Sequence, residues 1–471
     1  MPMKYRIFTY SGDALPIAHK LQQEGCEVVV GMVHDKKTIH SAKEGELRPE
    51  NPESRRRRLS LFDGLVEKRP ADVLIDEMQG YENPEDYFVF FDRNHLFQFS
   101  DQIAGMPFNG NFPTEADYLF ERNRDHAKQL VREHYPRLHV PDVEPFTEVP
   151  EALQFLKSTE QLWVLKGQDD SVKTFVPDVD DPKLAATQII ETLKENQAAY
   201  DGAGFILEEL INPAIEITPE KIYYDGVPLA VVLEFENKPF GSGNISIQTG
   251  SSQNLLFPIE VGDKINAIAF PPVVDAMAKQ RKGLFYWDAS LLVDKRTGKI
   301  YFGEFCSNRP GYNSLFTELA QCSSVDDYFS AVVRKESPFK LGTVATGVLL
   351  LNPGIDEETG RTPDGLRVDY KPEIEKNLWL WDVRREGNRL VTVGDDWNLG
   401  VITGAGDSID QAVNSMYKSV DGFSFAGAYY RPKSDFLSLD YPTSILNRIN
   451  YGLEKKLYQL PFNVRVAHIK K

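Results

Sequence analysis

Cysteine is scarce in this chain of 471 residues. Only Cys26, Cys306 and Cys322 are present, an odd number with no Cys-x-x-Cys pair. Neither a disulfide framework nor a zinc site is indicated, and a reducing cytoplasmic setting is expected. Long apolar runs are also missing, and no basic stretch followed by an apolar one opens the chain, so neither a membrane span nor a secretory signal is expected. Positive charge is in the minority: 53 Lys and Arg stand against 70 Asp and Glu, a formal charge of -17. Such a surface repels a phosphate backbone and argues against general nucleic-acid binding. The one basic run is Arg55 to Arg58, whose acidic or apolar flanks and lack of interleaved aromatics favour a solvated helix start over a polyanion contact. The patterns GxxxxGK[ST], HExxH, GxSxG and GxGxxG do not occur, which removes P-loop, zincin, serine-hydrolase and dinucleotide-binding readings. Internal repeats and low-complexity segments are absent.

What is present is an ordinary globular composition, 41% hydrophobic and 26% charged, on a chain too long for one core. Residues 4–10 predict a strand, Ala14 to Gln23 a helix with Leu15, Ile17, Ala18 and Leu21 on one side, and Val28 to Val30 a strand buried on both faces. Strand, helix, strand in this span is a βαβ unit with a parallel sheet, to which Val73 to Ile75 adds a further strand. Residues 1–112 are thus expected to form a doubly wound domain. Over 113–204 the pattern gives a helix from Ala116 to His134, a strand from Leu162 to Lys166 and a helix from Pro182 to Tyr200, a small α+β unit. Residues 205–338 are strand-rich, with Phe205–Leu207, Leu229–Phe235, Ala289–Val293 and Ile300–Phe305, the last two joined by a turn at Asp294 to Gly298. The apolar run Val344 to Leu351 opens a closing domain over 339–471.

Three places offer chemistry. Lys166 ends an apolar strand before Gly167, where it either reaches a phosphate as a point charge or snorkels to water. Glu208 and Glu209 directly follow a buried strand, a costly place for charge without a partner, and a purine base and ribose would supply one. Asp288 and Glu304 flank the 289–305 hairpin, so antiparallel pairing would bring two hard oxygen ligands to one sheet end, as Mg²⁺ on ATP phosphates requires. The polar segment after Glu304, through Asn308, Arg309 and Gly311, reads as the rim of a site.

In this order the elements resemble an ATP-grasp ligase, and within that superfamily glycinamide ribonucleotide synthetase (phosphoribosylamine–glycine ligase), over nearly the whole chain. Four stretches carry the resemblance: Asn111-Phe-Pro-Thr-Glu-Ala-Asp-Tyr-Leu to Lys128, Gly243 to Pro258, Glu304-Phe-Cys-Ser-Asn308-Arg309, and Phe425-Ala-Gly-Ala-Tyr-Tyr-Arg431. The resemblance implies an α/β ATP-grasp fold with a parallel-sheet N-terminal domain, a small α+β lid and a C-terminal closing domain. It implies that Arg124, Lys128 and Lys166 hold ATP, that Glu208, Glu209, Leu210 and Ile211 frame adenine, and that Glu216 approaches the ribose. Glu304, with Asp288 and Asn308, would bind Mg²⁺. Thr249, Gly250, Ser251, Ser252 and Gly311 would line the substrates, and Arg309 and Lys173 would act on the acyl phosphate. The implied reaction is attack of a carboxylate on the γ-phosphorus of ATP, followed by attack of an amine on the acyl carbon.

The chain departs from the family in its loops. Ser11-Gly12-Asp13-Ala14-Leu15 replaces Gly-Gly-Arg-Glu-His, and an aspartate at a helix N-terminus opposes a phosphate there. Gly167-Gln-Asp-Asp-Ser-Val-Lys173 replaces a glycine-rich lid loop, and Cys306 takes the position of a metal-ligating asparagine. These changes point away from phosphoribosylamine, and the retained Lys166, Glu208, Glu304 and Arg309 point to a ligase that joins glycine or another small amino acid to a different amine. Other readings are the orthodox purine-pathway ligase, a ligase acting on an amine of a nucleotide or modified base, and a non-catalytic nucleotide-binding homologue. Oligomeric state, monomer or dimer, is open.

Overall fold

The computed structural model describes residues 3–34, 51–167, 174–177, 179–212, 214–308, 312–352, 354, 362–438 and 444–460. The chain divides into two compact units, one of Met1–Glu121, Thr218–Asp288 and Phe305–Lys471, the other of Arg122–Ile217 and Ala289–Glu304.

The first unit opens with β1 (Lys4–Thr9), α1 (Leu15–Gln23), β2 (Val28–Met32), α2 (Pro52–Ser60), β3 (Lys68–Pro70), α3 (Ala71–Met78), β4 (Tyr87–Phe91), α4 (Phe97–Ile103) and β5 (Asn109–Gly110). The strands form one all-parallel sheet in the order β3-β2-β1-β4-β5. The expected βαβ start is therefore present. Val73 to Ile75, however, is helix rather than strand. Ala71, Leu74, Ile75 and Met78 are buried at helical spacing while Val73 is exposed, so the apolar triple belongs to the inner face of α3. The strand that completes the sheet beside β1 is β4, a Tyr-Phe-Val-Phe-Phe run with four of its five residues buried. Phe8 and Phe91 stack at 4.8 Å and, with Leu74, Ile75 and Met78, make the core on that face.

After α5 (Glu115–Arg122) the chain enters the second unit: α6 (Arg124–His134), β6 (Val143–Phe146), α7 (Val149–Leu156), β7 (Trp163–Gly167), α8 (Pro182–Glu195), α9 (Gln197–Ala203) and β8 (Phe205–Glu209). The single helix expected over 116–134 is two, because the Asn123 side chain accepts from the His126 amide at 3.0 Å and caps α6. The helix expected over 182–200 is likewise interrupted, at Asn196. The strands form a three-stranded antiparallel sheet with β8 in the middle. Trp163, Leu165, Ile189, Leu193, Phe205 and Leu207 fill the space between sheet and helices.

The strand-rich remainder contains β9 (Ala214–Tyr224), β10 (Val227–Gly241), β11 (Ile245–Ile259), α10 (Lys264–Ala269), α11 (Pro272–Ala278), β12 (Leu284–Asp294), β13 (Ile300–Ser307), α12 (Tyr312–Leu319), α13 (Val325–Val333) and β14 (Val344–Leu351). It continues with β15 (Arg367–Tyr370), β16 (Leu378–Leu380), β17 (Val383–Glu386), β18 (Arg389–Thr392), β19 (Asn398–Gly406), α14 (Ile409–Val420), β20 (Phe423–Ser424), α15 (Ser434–Leu437) and α16 (Ile445–Glu454). The large sheet runs β13-β12-β9-β10-β11-β14-β19-β16, and β9, β12 and β13 are the strands along which the chain passes between units. All eight residues of β14 are buried, which explains its continuous apolar run. Among the described residues no helix is long and apolar enough to cross a membrane.

Candidate functional site

In the second unit, β7 and β8 pair with Val164 opposite Glu208 and Lys166 opposite Ile206. Side chains two apart on a strand share a face, so Lys166 and Glu208 meet diagonally. Lys128, from α6, approaches the same carboxylate. Its Nζ lies 2.5 Å from Glu208 Oε2, and Lys166 Nζ donates to Oε1. The Glu208 and Lys128 side chains are 9% and 3% exposed, that of Lys166 20%. Two ammonium groups on one carboxylate leave a surplus positive charge, nearest the more exposed Lys166. Burial alone would raise the pKa of Glu208, but Lys166 and Lys128 outweigh it and hold the group below the usual carboxylate range. Burial lowers the pKa of Lys128, with Glu208 opposing. A cationic, part-buried centre of this kind suits a polyphosphate, which would take up the surplus charge.

The neighbouring predicted residues are arranged as follows. Glu209 is half-buried, its carboxylate accepting from the Asp142 amide at 3.3 Å. The Leu210 amide donates to the Leu162 carbonyl at 2.9 Å, and Ile211 is buried. Glu216 accepts from the Ser290 hydroxyl at 2.7 Å, and Glu304 is exposed on β13. Lys173 and the side chain of Arg124 lie outside the described residues.

In the first unit, Thr249 to Ser252 belong to β11 rather than to a loop. Thr249 Oγ1 donates to the Lys238 carbonyl at 2.8 Å, and the fully buried Ser252 donates to the Asn237 and Pro239 carbonyls at 2.5 and 2.8 Å. These bonds support β10 where its register with β11 shifts around Pro239. Gly250 is exposed, and Ser251 is buried with its hydroxyl on the Gln253 carbonyl at 3.3 Å. Asp288 is buried on β12. Asn308 is buried with a left-handed backbone (φ 55°), and its amide donates to the Tyr286 carbonyl at 2.6 Å. Arg309 and Gly311 lie outside the described residues. Among the described residues no three His, Cys, Asp or Glu side chains gather as a metal site. An ion bound by one or two carboxylates and substrate phosphates needs no such group.

The arginine run is not simply solvated. Arg58 is buried, donates to the Tyr10 and Val33 carbonyls at 2.9 and 2.8 Å, and lies 4.2 Å from the Tyr10 ring centre. Arg57 donates to the Gly394 carbonyl at 2.7 Å, while Arg56 pairs with Glu53 at the surface. Sequence reasoning also missed Asp92 and Arg93, which follow β4, and the buried acids Glu220, Glu234 and Glu318. Only the Phe-rich run before Asp92 pointed toward the first pair.

No protein-family model matches the sequence, and no curated protein is similar to it by sequence. The chain nevertheless has counterparts in solved structures over most of its length, and the fold it shares with them is the α/β ATP-grasp fold. Phosphoribosylamine–glycine ligase from Thermotoga maritima matches with a TM-score of 0.59 and 14% identity, over 91% of this chain and 99% of that one. Biotin carboxylase from Campylobacter jejuni matches at 0.55 and 14%, over 98% of each chain. L-amino acid ligase from Bacillus licheniformis matches at 0.50 and 13%, over 92% of this chain and 100% of that one. At such identities what is shared is the fold.

Proposed function

We propose that the protein is an ATP-dependent ligase that joins a carboxylate, glycine or another small amino acid, to an amine through an acyl phosphate. The observation that supports the reading is the convergence of Lys128 and Lys166 on buried Glu208, a cationic centre suited to a polyphosphate. The neighbours add support: phosphoribosylamine–glycine ligase and L-amino acid ligase are both ligases by name.

In this reading Lys166, the more exposed of the pair, meets the phosphates as a point charge. Lys128 stays on Glu208 and fixes its orientation, so that the carboxylate and the backbone of Leu210 and Ile211 face the base. Glu216 lies toward the ribose. Glu304 is the carboxylate offered to Mg²⁺. The ion would supply charge neutralisation on the transferred phosphoryl group. The protein's share is positioning and fixed charge, which is most of what phosphoryl transfer asks of it.

Incubation with ATP, Mg²⁺, glycine and a panel of amines is expected to release ADP and phosphate only when both substrates are present. Lys166→Ala is expected to slow that release about a hundredfold, as loss of one preorganised donor to developing charge does. Unchanged release in Lys166→Ala would reject the site, and no release with any pair would favour a nucleotide-binding protein without catalysis.

A further inference from the structure

The parallel sheet has a topological switch point. From β1 the chain steps to β2 and β3 on one side and then to β4 on the other. In open α/β sheets ligands bind in the crevice beyond the carboxyl ends of the two strands at such a point. Here those ends carry Asp13, after β1, and Asp92, the first residue after β4. Asp13 is committed. Its Oδ2 accepts from Arg93 Nε at 2.6 Å, and the Arg93 guanidinium lies 5.1 Å from the Tyr312 ring centre. Asp92 accepts the Ala14 amide on Oδ2, at 3.2 Å, and is also favoured by the Thr9 side chain and by Arg93, while its Oδ1 has no hydrogen-bond partner among the described residues.

Asp92 shares a cavity of about 10 Å³ with Asn308, walled by Ile17, Phe90 and Phe316. Asn308 Oδ1 also lacks a partner among the described residues, and the two side chains come from residues 5% and 3% exposed. Both orphaned atoms are acceptors. Buried acceptors without donors are costly, and a cavity of this size holds one water-sized group. A water brings two protons but no charge, whereas an ammonium brings three donors and the missing positive charge.

We propose that this crevice is a subsite for a primary ammonium group, bound by the Asp92 carboxylate with the Asn308 amide oxygen as second acceptor. Its place in catalysis rests on the ligase reading above. An ammonium held as a cation is not the attacking nucleophile. It is a recognition group, either the α-ammonium of the amino acid whose carboxylate is activated or a second nitrogen on the amine substrate.

The test is a titration of the full chain with methylammonium chloride, read as thermal stabilisation, against tetramethylammonium chloride at equal ionic strength. Methylammonium is expected to stabilise, and tetramethylammonium, which has no N–H, is not. The near-isosteric Asp92→Asn is expected to weaken the response at least about tenfold, the loss of a charge-assisted bond. Asn308→Asp, which keeps a residue type tolerant of the left-handed backbone, is expected to strengthen it. Equal response to both salts, an unchanged Asp92→Asn, or a cavity that holds water alone in crystals grown with methylammonium would overturn the proposal. Competition by glycine assigns the ammonium to the activated acid, and competition by 1,2-diaminoethane alone assigns it to the amine. Competition by neither overturns the substrate role. Binding without ADP release from any substrate pair would reject the ligase reading and leave the ammonium site standing.

Discussion

At the scale of single residues, Glu208 decides how the cationic centre behaves. Among the described residues it is the acid that Lys128 and Lys166 share, and neutralising it leaves two ammonium groups facing each other in a part-buried place. Glu208→Gln is expected to destabilise the protein by about 3 kcal/mol, the usual cost of breaking a buried pair from one side. Urea unfolding checks this, and an unchanged midpoint would mean that the lysines are solvated. A second residue-scale expectation concerns the buried acids. Burial pushes Glu318 up to about 8 and Glu234 up to about 7, and raises Glu220 well above its ordinary value. A raised acid keeps its proton in the folded state while the unfolded chain releases it near pH 4, so stability falls as pH rises from about 4 to about 8. The thermal midpoint should therefore drop across that window, and Glu318→Gln should flatten the drop. An equally steep slope in the variant would contradict the account. The residue-level site was partly legible in the sequence. Lys166 and Glu208 could be named because charge beside an apolar strand is expensive and thus conspicuous. Asp92 and Asn308 could not, because 216 positions separate them and only the topology brings them to one cavity.

At the scale of elements, α2 shows how a charge run is read wrongly from composition. Arg58 serves as an internal strut between α2 and the chain after β1 and β2, and Arg56 is a surface residue. Arg58→Met is expected to cost about 2 kcal/mol by leaving two carbonyls unpaired, whereas Arg56→Ala should fall within about 0.5 kcal/mol of the parent. Equal effects in thermal unfolding would restore the solvated reading. Element types were mostly legible where the period was long, as in β1, α1 and β14. Val73 to Ile75 failed because three apolar residues fit either period, and only the partners Ala71 and Met78 reveal the helix. The break at Asn123 failed for a different reason: a polar cap inside a helical pattern looks like one more exposed position until its side chain is seen on the backbone.

At the scale of the whole molecule, the first unit is assembled from three separated segments and the second from two. No local pattern announces such an arrangement, since the strands that carry the chain between units read like any other strands. What made the fold legible was the order of a few weak motifs, and the structural likeness to ATP-grasp enzymes at 14% identity agrees with that order. The substrates were less legible because the segments at Ser11–Leu15 and Gly167–Lys173 are where the chain departs from the pattern. The central claim is an acyl phosphate, and oxygen transfer tests it most directly. With the carboxylate substrate labelled with ¹⁸O, the account predicts one labelled oxygen in each phosphate released, since the carboxylate oxygen that attacks phosphorus leaves with it. ADP release coupled to amide formation with no label in the phosphate would contradict it.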